Sequence, residues 1–103
     1  MSGYSLTASA EQDLIEAAVY VGEQSGNPEI GDRIMDQLVA VMEKLADFPE
    51  MGRPRYEIRP KLRSFVSPPY IIFYRRQRDG VHIHRILHER RDIDKAFPKR
   101  RQR

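Results

Sequence analysis

Residues 70–92, YIIFYRRQRDGVHIHRILHERRD, constrain the fold more than any other stretch of the chain. Tyr70-Ile71-Ile72-Phe73-Tyr74 is apolar, rich in β-branched and aromatic residues, and free of Gly and Pro, which is the composition of a strand. The chain then reverses through residues 76–80, where Asp79-Gly80 is expected to supply the positive-φ positions of a tight turn. It returns as Val81–His88, apolar and polar by turns at first. Two such runs around a Gly-containing connection predict a β-hairpin. A lone hairpin is marginal in water, so it requires a third strand or a helical layer.

The remaining residues offer both. Tyr4–Thr7 alternates and reads as a first strand. Thr7 or Ser9 can cap the helix that follows, and Ser9-x-x-Gln12 has capping-box spacing. From Ala10, the positions Ala10, Leu14, Ala17, Ala18 and Val21 recur at helical spacing. Gly26 ends this helix; Asn27 caps the next, with Pro28 at its first position. Ile30, Ile34, Leu38, Val41, Met42 and Leu45 mark one face of the second helix, which stops near Asp47 because Pro49, Gly52 and Pro54 follow. At 1.5 Å per residue this helix is about 28 Å long, and the tight linker predicts an antiparallel helical hairpin. A proline-punctuated connection over 48–60 leads to a second strand over 61–66, then a turn at Ser67-Pro68-Pro69 into the hairpin. A short helix over 90–97 is expected at the end, with 97–103 a frayed basic tail. The whole is an α+β fold: an N-terminal strand and a two-helix hairpin packed on a small, mainly antiparallel sheet, with a short C-terminal helix. Spacing leaves open whether the first strand pairs beside the second or along the returning strand.

A chain of 103 residues forms one domain, 1–103, around one core. It has no cysteine, which excludes disulfides and thiolate metal sites. No run approaches the roughly 18 apolar residues of a membrane span, and no signal-peptide pattern opens the chain, so cytoplasm is the expected compartment. The net charge of +3 hides a segregation. Residues 1–50 hold two basic and ten acidic residues, a net of −8, whereas residues 51–103 hold sixteen basic and five acidic, a net of +11. Acidic residues near helix starts and general solubility account for the first imbalance. The second points to an anionic or acidic partner.

His82 and His84 alternate onto one strand face, a spacing seen in zinc sites, but no third ligand is evident and exposed strand histidines are the commoner case. No metal and no cofactor is expected. His88 closes the strand just before Arg90 and Arg91; it is either a general acid or base beside phosphate-stabilising arginines, or a half-buried ring that caps the strand end and pairs with a carboxylate. Arg53, Arg55, Arg59, Lys61 and Arg63 crowd into eleven residues, with Arg75, Arg76, Arg78, Arg85, Arg90 and Arg91 beyond. Arginine suits bidentate contacts with phosphate or carboxylate. Tyr70, Phe73 and Tyr74 lie in the expected core strand and read as packing, not as base-stacking platforms.

Several fragments in order resemble one family: Leu6-Thr7-Ala8 followed by Ala10-x-x-Asp13-Leu14; Pro49-x-x-Gly52-Arg53; Ile58-Arg59-Pro60-x-Leu62-Arg63-Ser64; Tyr70-Ile71-Ile72-Phe73-Tyr74-Arg75; and Arg85-Ile86-Leu87-His88-x-Arg90-Arg91-Asp92. Together they resemble the ParE branch of the RelE/ParE superfamily of type II toxin–antitoxin toxins, nearly end to end. The resemblance implies a helical hairpin on a small antiparallel sheet. It also implies a ParD-like antitoxin that silences the toxin and alone contacts operator DNA, and a target in DNA gyrase; RelE-like relatives instead cut mRNA on the ribosome. Those nucleases tend to carry Arg after the Tyr that opens the third strand and a Tyr near the C-terminus. Here these positions are Ile71 and Phe97, which favours gyrase and a non-enzymatic inhibitor. The expected target contacts are Arg63, Arg85, His88, Arg90 and Arg91. The expected antitoxin contacts are Ile15, Val19 and Met35, helix residues that the sheet is not expected to cover, with Arg75 and Arg85. In the alternative, a ribosome-dependent endoribonuclease, His88, Arg63 and Arg91 would be catalytic.

Overall fold

The computed structural model describes residues 3–91 and 93–98. The elements run β1 (Gly3–Leu6), α1 (Ala8–Ser25), α2 (Pro28–Asp47), β2 (Arg53–Pro54), β3 (Arg63–Ser67), β4 (Tyr70–Gln77), β5 (Gly80–His88) and α3 (Ile93–Ala96). The five strands form one sheet in the order β1-β5-β4-β3-β2. The β4–β5 hairpin is its centre, and β1 runs parallel to β5 while the other pairs are antiparallel. The first strand thus lies along the returning strand, one of the two arrangements that spacing left open.

Local chemistry sets the element ends. Thr7 is the N-cap of α1: its Oγ1 accepts from Ala10 N–H at 3.0 Å, and the helix begins at Ala8, two residues before the apolar stripe. Gly26 ends α1 in the left-handed region, and Asn27 Oδ1 accepts from Glu29 N–H at 3.0 Å to start α2 behind Pro28. The two helices approach so closely at Gly31 that a Cβ there would run into the Ala18 carbonyl. The hairpin turn differs from expectation. Arg78 and Asp79 occupy it with negative φ, and only Gly80, at φ +136°, takes a positive value. A side chain at Gly80 would also collide with the backbone of Gly3, so this glycine is what lets β1 lie against β5.

The strand expected over 61–66 is β3, shifted to Arg63–Ser67 because Lys61 sits at φ +63° in the preceding turn. β2 was not foreseen: two residues, one of them proline, carry no periodicity, and Pro54 is tolerated because β2 is an edge. The terminal helix spans only Ile93–Ala96, since residues 89–91 form a turn.

Both sheet faces are covered, but unequally. The helix side buries Ala10, Ala17, Leu38, Met42 and Leu45 against Ile72, Tyr74, Ile83 and Ile86. A second cluster on the other side joins Leu62, Phe73, Leu87 and Phe97. Phe97, expected to open a frayed tail, is therefore a core residue; residues 99–103 of that tail, and Asp92, lie outside the described residues. The Tyr74 hydroxyl donates to Pro49 C=O at 2.7 Å and accepts from Gly52 N–H at 2.8 Å, which fixes the loop after α2.

β1 covers only Gly80–Ile83, so the rest of the β5 edge would be bare. Thr7 Oγ1 donates to His84 C=O at 2.8 Å, and the buried Asp13 carboxylate accepts from Ile86 N–H at 2.9 Å. The same carboxylate takes Arg85 Nε–H at 2.7 Å and Nη2–H at 3.0 Å. Asp13→Ala would strand the Ile86 amide and a mostly covered guanidinium. With Arg85 about one-fifth exposed, the expected loss of stability is about 2–4 kcal/mol, read by urea denaturation; a loss within about 0.5 kcal/mol, typical of surface sites, would contradict this role.

Candidate functional site

An amphipathic helix pair buries one stripe and leaves the other to solvent. Here the outer side of the α1–α2 hairpin is not wholly polar. Ile15, Val19, Gly22, Pro28 and Met35 line an apolar groove of about 600 Å³, bordered by Glu23 and Asp32. Ile15 and Val19 are 50% and 52% exposed, unusual for residues of this kind. Three expected antitoxin contacts, Ile15, Val19 and Met35, thus come together. Arg85 is held by Asp13 instead, and Arg75 stands on β4 opposite His82.

The second surface lies where β5 ends. His88, Arg90 and Arg91 line a groove of about 630 Å³ with Tyr20, Tyr70 and Glu16. The chain turns tightly there, with His88 Nδ1 accepting from Arg90 N–H at 3.1 Å and His88 C=O accepting from Arg91 N–H at 2.8 Å. The His88 ring stands edge-on to Tyr70, centroids 5.5 Å apart. Burial pushes the Tyr70 hydroxyl above its ordinary pKa. The His88 ring thus caps the strand end through the Arg90 amide rather than through the expected carboxylate pairing, while the Arg90 and Arg91 side chains are exposed. Arg63 is not part of this groove. It lies on β3, where its Nη1 donates to Gly52 C=O and, at 3.4 Å, to Glu50 C=O. Of the five expected target contacts, three share one surface, and Arg63 and Arg85 make contacts within the fold. Tyr20, 55% exposed, was not foreseen; its signal was an aromatic off the apolar stripe of α1.

On the side of the sheet away from the helices, several arginines are spent on packing. Arg55 lies 5.6 Å over the Phe73 ring and Arg59 lies 5.9 Å over Phe97, while Phe73 and Phe97 meet at 5.1 Å. His82 and His84 are half-buried, not exposed; their rings meet edge-on at 5.2 Å, and His82 Nδ1 is 2.6 Å from Ser5 Oγ. Among the described residues no cluster of three metal-binding side chains includes them.

Burial, then Arg75 and His82, hold His84 below its ordinary pKa of 6.5. Above that value His84 is neutral whether folded or not. As pH falls below it, the unfolded chain takes up a proton that the folded chain resists, so stability declines with acidification. His84→Gln is expected to flatten this part of the profile in urea midpoints measured across it, and an unchanged acid slope would contradict the assignment.

Residues 4–93 match the family model described as the ParE toxin of the type II toxin–antitoxin system parDE. The chain is 32% identical over 91 residues to Toxin ParE1 of Caulobacter vibrioides, covering 86% of this chain and 91% of the relative. It is 36% identical over 59 residues to Toxin ParE3 of the same organism, a match spanning 57% of this chain and 59% of that relative. Toxin ParE1 of Mycobacterium tuberculosis is 31% identical over 65 residues, or 62% of this chain and 66% of the relative. Among solved structures, one described as the chromosomal ParDE TA system from P. aeruginosa superposes with a TM-score of 0.71 at 21% identity, covering 85% of this chain and 96% of that one, and so shares the fold. With the family model matched over most of its length, the chain belongs to the ParE toxin family of type II toxin–antitoxin systems.

Proposed function

We propose that this ParE-family toxin is silenced by a ParD-like antitoxin seated on the helical hairpin and that, once freed, it inhibits DNA gyrase in the cytoplasm through its basic sheet end. The observation that carries the choice of target is the fate of two positions. Ile71 packs against the second core cluster and Phe97 is buried within it. A nuclease would need a cation and a proton-transferring group near these places; this chain uses both for packing. His88 Nδ1 is engaged by the Arg90 amide, and Arg63 lies apart from it on β3, which counts against His88, Arg63 and Arg91 acting as a catalytic set. A surface of exposed arginines beside two tyrosines instead suits a macromolecular contact, in which Tyr and Arg are the usual anchors. Contact with operator DNA would pass through the antitoxin.

For the antitoxin, the apolar groove on α1 and α2 fits an amphipathic helix laid along it, and the acidic rim at Glu23 and Asp32 favours a partner segment with basic flanks. Val19→Glu puts a charge into that groove without touching the core. The expected result is an intact fold and antitoxin affinity weakened at least thirtyfold, roughly 2 kcal/mol, by calorimetry. Unchanged affinity would remove the groove from the interface.

The target is tested by adding the purified toxin to gyrase and relaxed plasmid. Supercoiling should be inhibited, and the paired change Arg90→Glu with Arg91→Glu should raise the half-inhibitory concentration about tenfold or more. If supercoiling is untouched while programmed ribosomes show codon-dependent mRNA cleavage that His88→Ala abolishes, the endoribonuclease reading replaces this one.

A further inference from the structure

The sheet carries a polar spot that belongs to neither surface described above. Side chains alternate along a strand, so on β4 Ile72 and Tyr74 face the helices while Phe73 faces the other way. Arg75 continues the Phe73 side and stands directly across from His82. The register slips between Phe73 and Tyr74: Tyr74 opposes Ile83 and Phe73 opposes Arg85, which leaves His84 as the extra residue of a bulge. Bulges re-aim side chains, and this one brings the His84 ring against His82. Two adjacent strands thus present three basic side chains at one place, each half-buried.

Their donors are largely uncommitted. His82 gives Nδ1 to Ser5 Oγ, which also receives the Gln77 amide at 3.2 Å; its other ring nitrogen has no partner among the described residues. The Arg75 Nε–H is buried with no acceptor. The carboxylates paired with arginine elsewhere, Glu57, Glu50 and Asp13, go to Arg55, Arg76 and Arg85. Native structures seldom leave a buried guanidinium donor unmatched, and such orphans call for an explanation such as an ordered water or a bound ion. A planar carboxylate would be met by an arginine alone, in a bidentate fork. With Arg75 on one strand and two neighbouring rings on the next, the donors come from more than one side chain, which suits an acceptor with oxygens in three directions.

We propose that Arg75, His82 and His84 form a receptor for one tetrahedral oxyanion of the phosphate class, held on the sheet face turned away from the helices. An anion there supplies a counter-charge to these three side chains, none of which has an ion pair of its own among the described residues. It also offsets the repulsion that Arg75 and His82 exert on His84, so binding favours protonated His84, and affinity reckoned per phosphate dianion tightens as pH falls. Among the described residues, the charged groups that act on His84 are Arg75 from β4 and His82 from β5, and the ligand's own second ionisation, about pH 6–7, runs against the linkage below neutrality. The site stands independently of the gyrase reading, and failure of gyrase inhibition would leave it untouched.

The test is a titration of the full chain with inorganic phosphate and, separately, with adenosine 5′-monophosphate, followed by the ring resonances of His82 and His84. Sodium chloride of equal ionic strength is the control. Saturable shifts of both rings are expected, with the His84 midpoint rising by about one pH unit when the site is filled. Equal affinity for the two ligands identifies the phosphate group alone as the ligand; tighter binding of the monophosphate identifies a nucleotide. Arg75→Gln should weaken binding at least tenfold while amide dispersion reports an intact fold. Should that variant not fold, His84→Gln carries the test, since it should remove the proton uptake on binding at His84 and leave only the pH dependence of the phosphate group itself. Shifts reproduced by chloride, or affinity and pH dependence unchanged in these variants, would overturn the proposal.

Discussion

One carboxylate holds the two layers of this protein in register. β1 is too short to cover β5, and an uncovered strand edge leaves amide and carbonyl groups without partners. Asp13 resolves this from α1 by accepting the Ile86 amide and the Arg85 fork together. Because its oxygens are committed to one backbone position, the first helix cannot slide along the sheet. The helical hairpin is fastened again at its far end, where the Tyr74 hydroxyl ties the sheet centre to the loop after α2. Asp13 sits in the Ala10-x-x-Asp13-Leu14 fragment, so that sequence signature has a mechanical meaning: it encodes where the helix attaches.

This attachment determines what the surfaces can do. With one side of α1 and α2 committed to the core, the outer stripe of Ile15, Val19 and Met35 lines a groove together with Gly22 and Pro28. The opposite imbalance of charge falls on the sheet, yet the arginines there are not interchangeable. Arg55 and Arg59 cover aromatic rings, Arg63 and Arg85 bind acceptors within the fold, and Arg90 and Arg91 remain exposed at the end of β5. A simple count of positive charge therefore overstates the part of the basic half that can meet a partner.

The hairpin, both helices and their caps were legible because each has a local cause: alternation between Tyr70 and His88, helical spacing from Ala10, Asn27-Pro28 at a helix start. What escaped has non-local causes. The two-residue strand Arg53–Pro54 exists only because β3 lies beside it. The bulge at His84 follows from how β4 and β5 pair, and it, not the i, i+2 spacing alone, fixes the contact between the two histidine rings. Phe97 looked like the start of a tail, since nothing nearby in sequence shows that Phe73 and Leu62 wait for it. Of the candidate sites, the residue types were readable and their grouping was not; the sequence could not separate His88, Arg90 and Arg91 from Arg63 and Arg85.

The parallel pairing of β1 with β5 also governs when the molecule comes into being. Gly3 meets Gly80, so the sheet closes a loop of about 77 residues, a connection whose entropy must be met before its contacts form. A chain emerging from the ribosome can assemble its helical hairpin early, from neighbours in sequence. The first strand and the Asp13 carboxylate, however, have nothing to dock on until residues 80–86 have emerged. During translation the apolar stripe of the helices is thus on display before the sheet it will cover exists. That interval exposes the nascent toxin to capture by whatever recognises the stripe first.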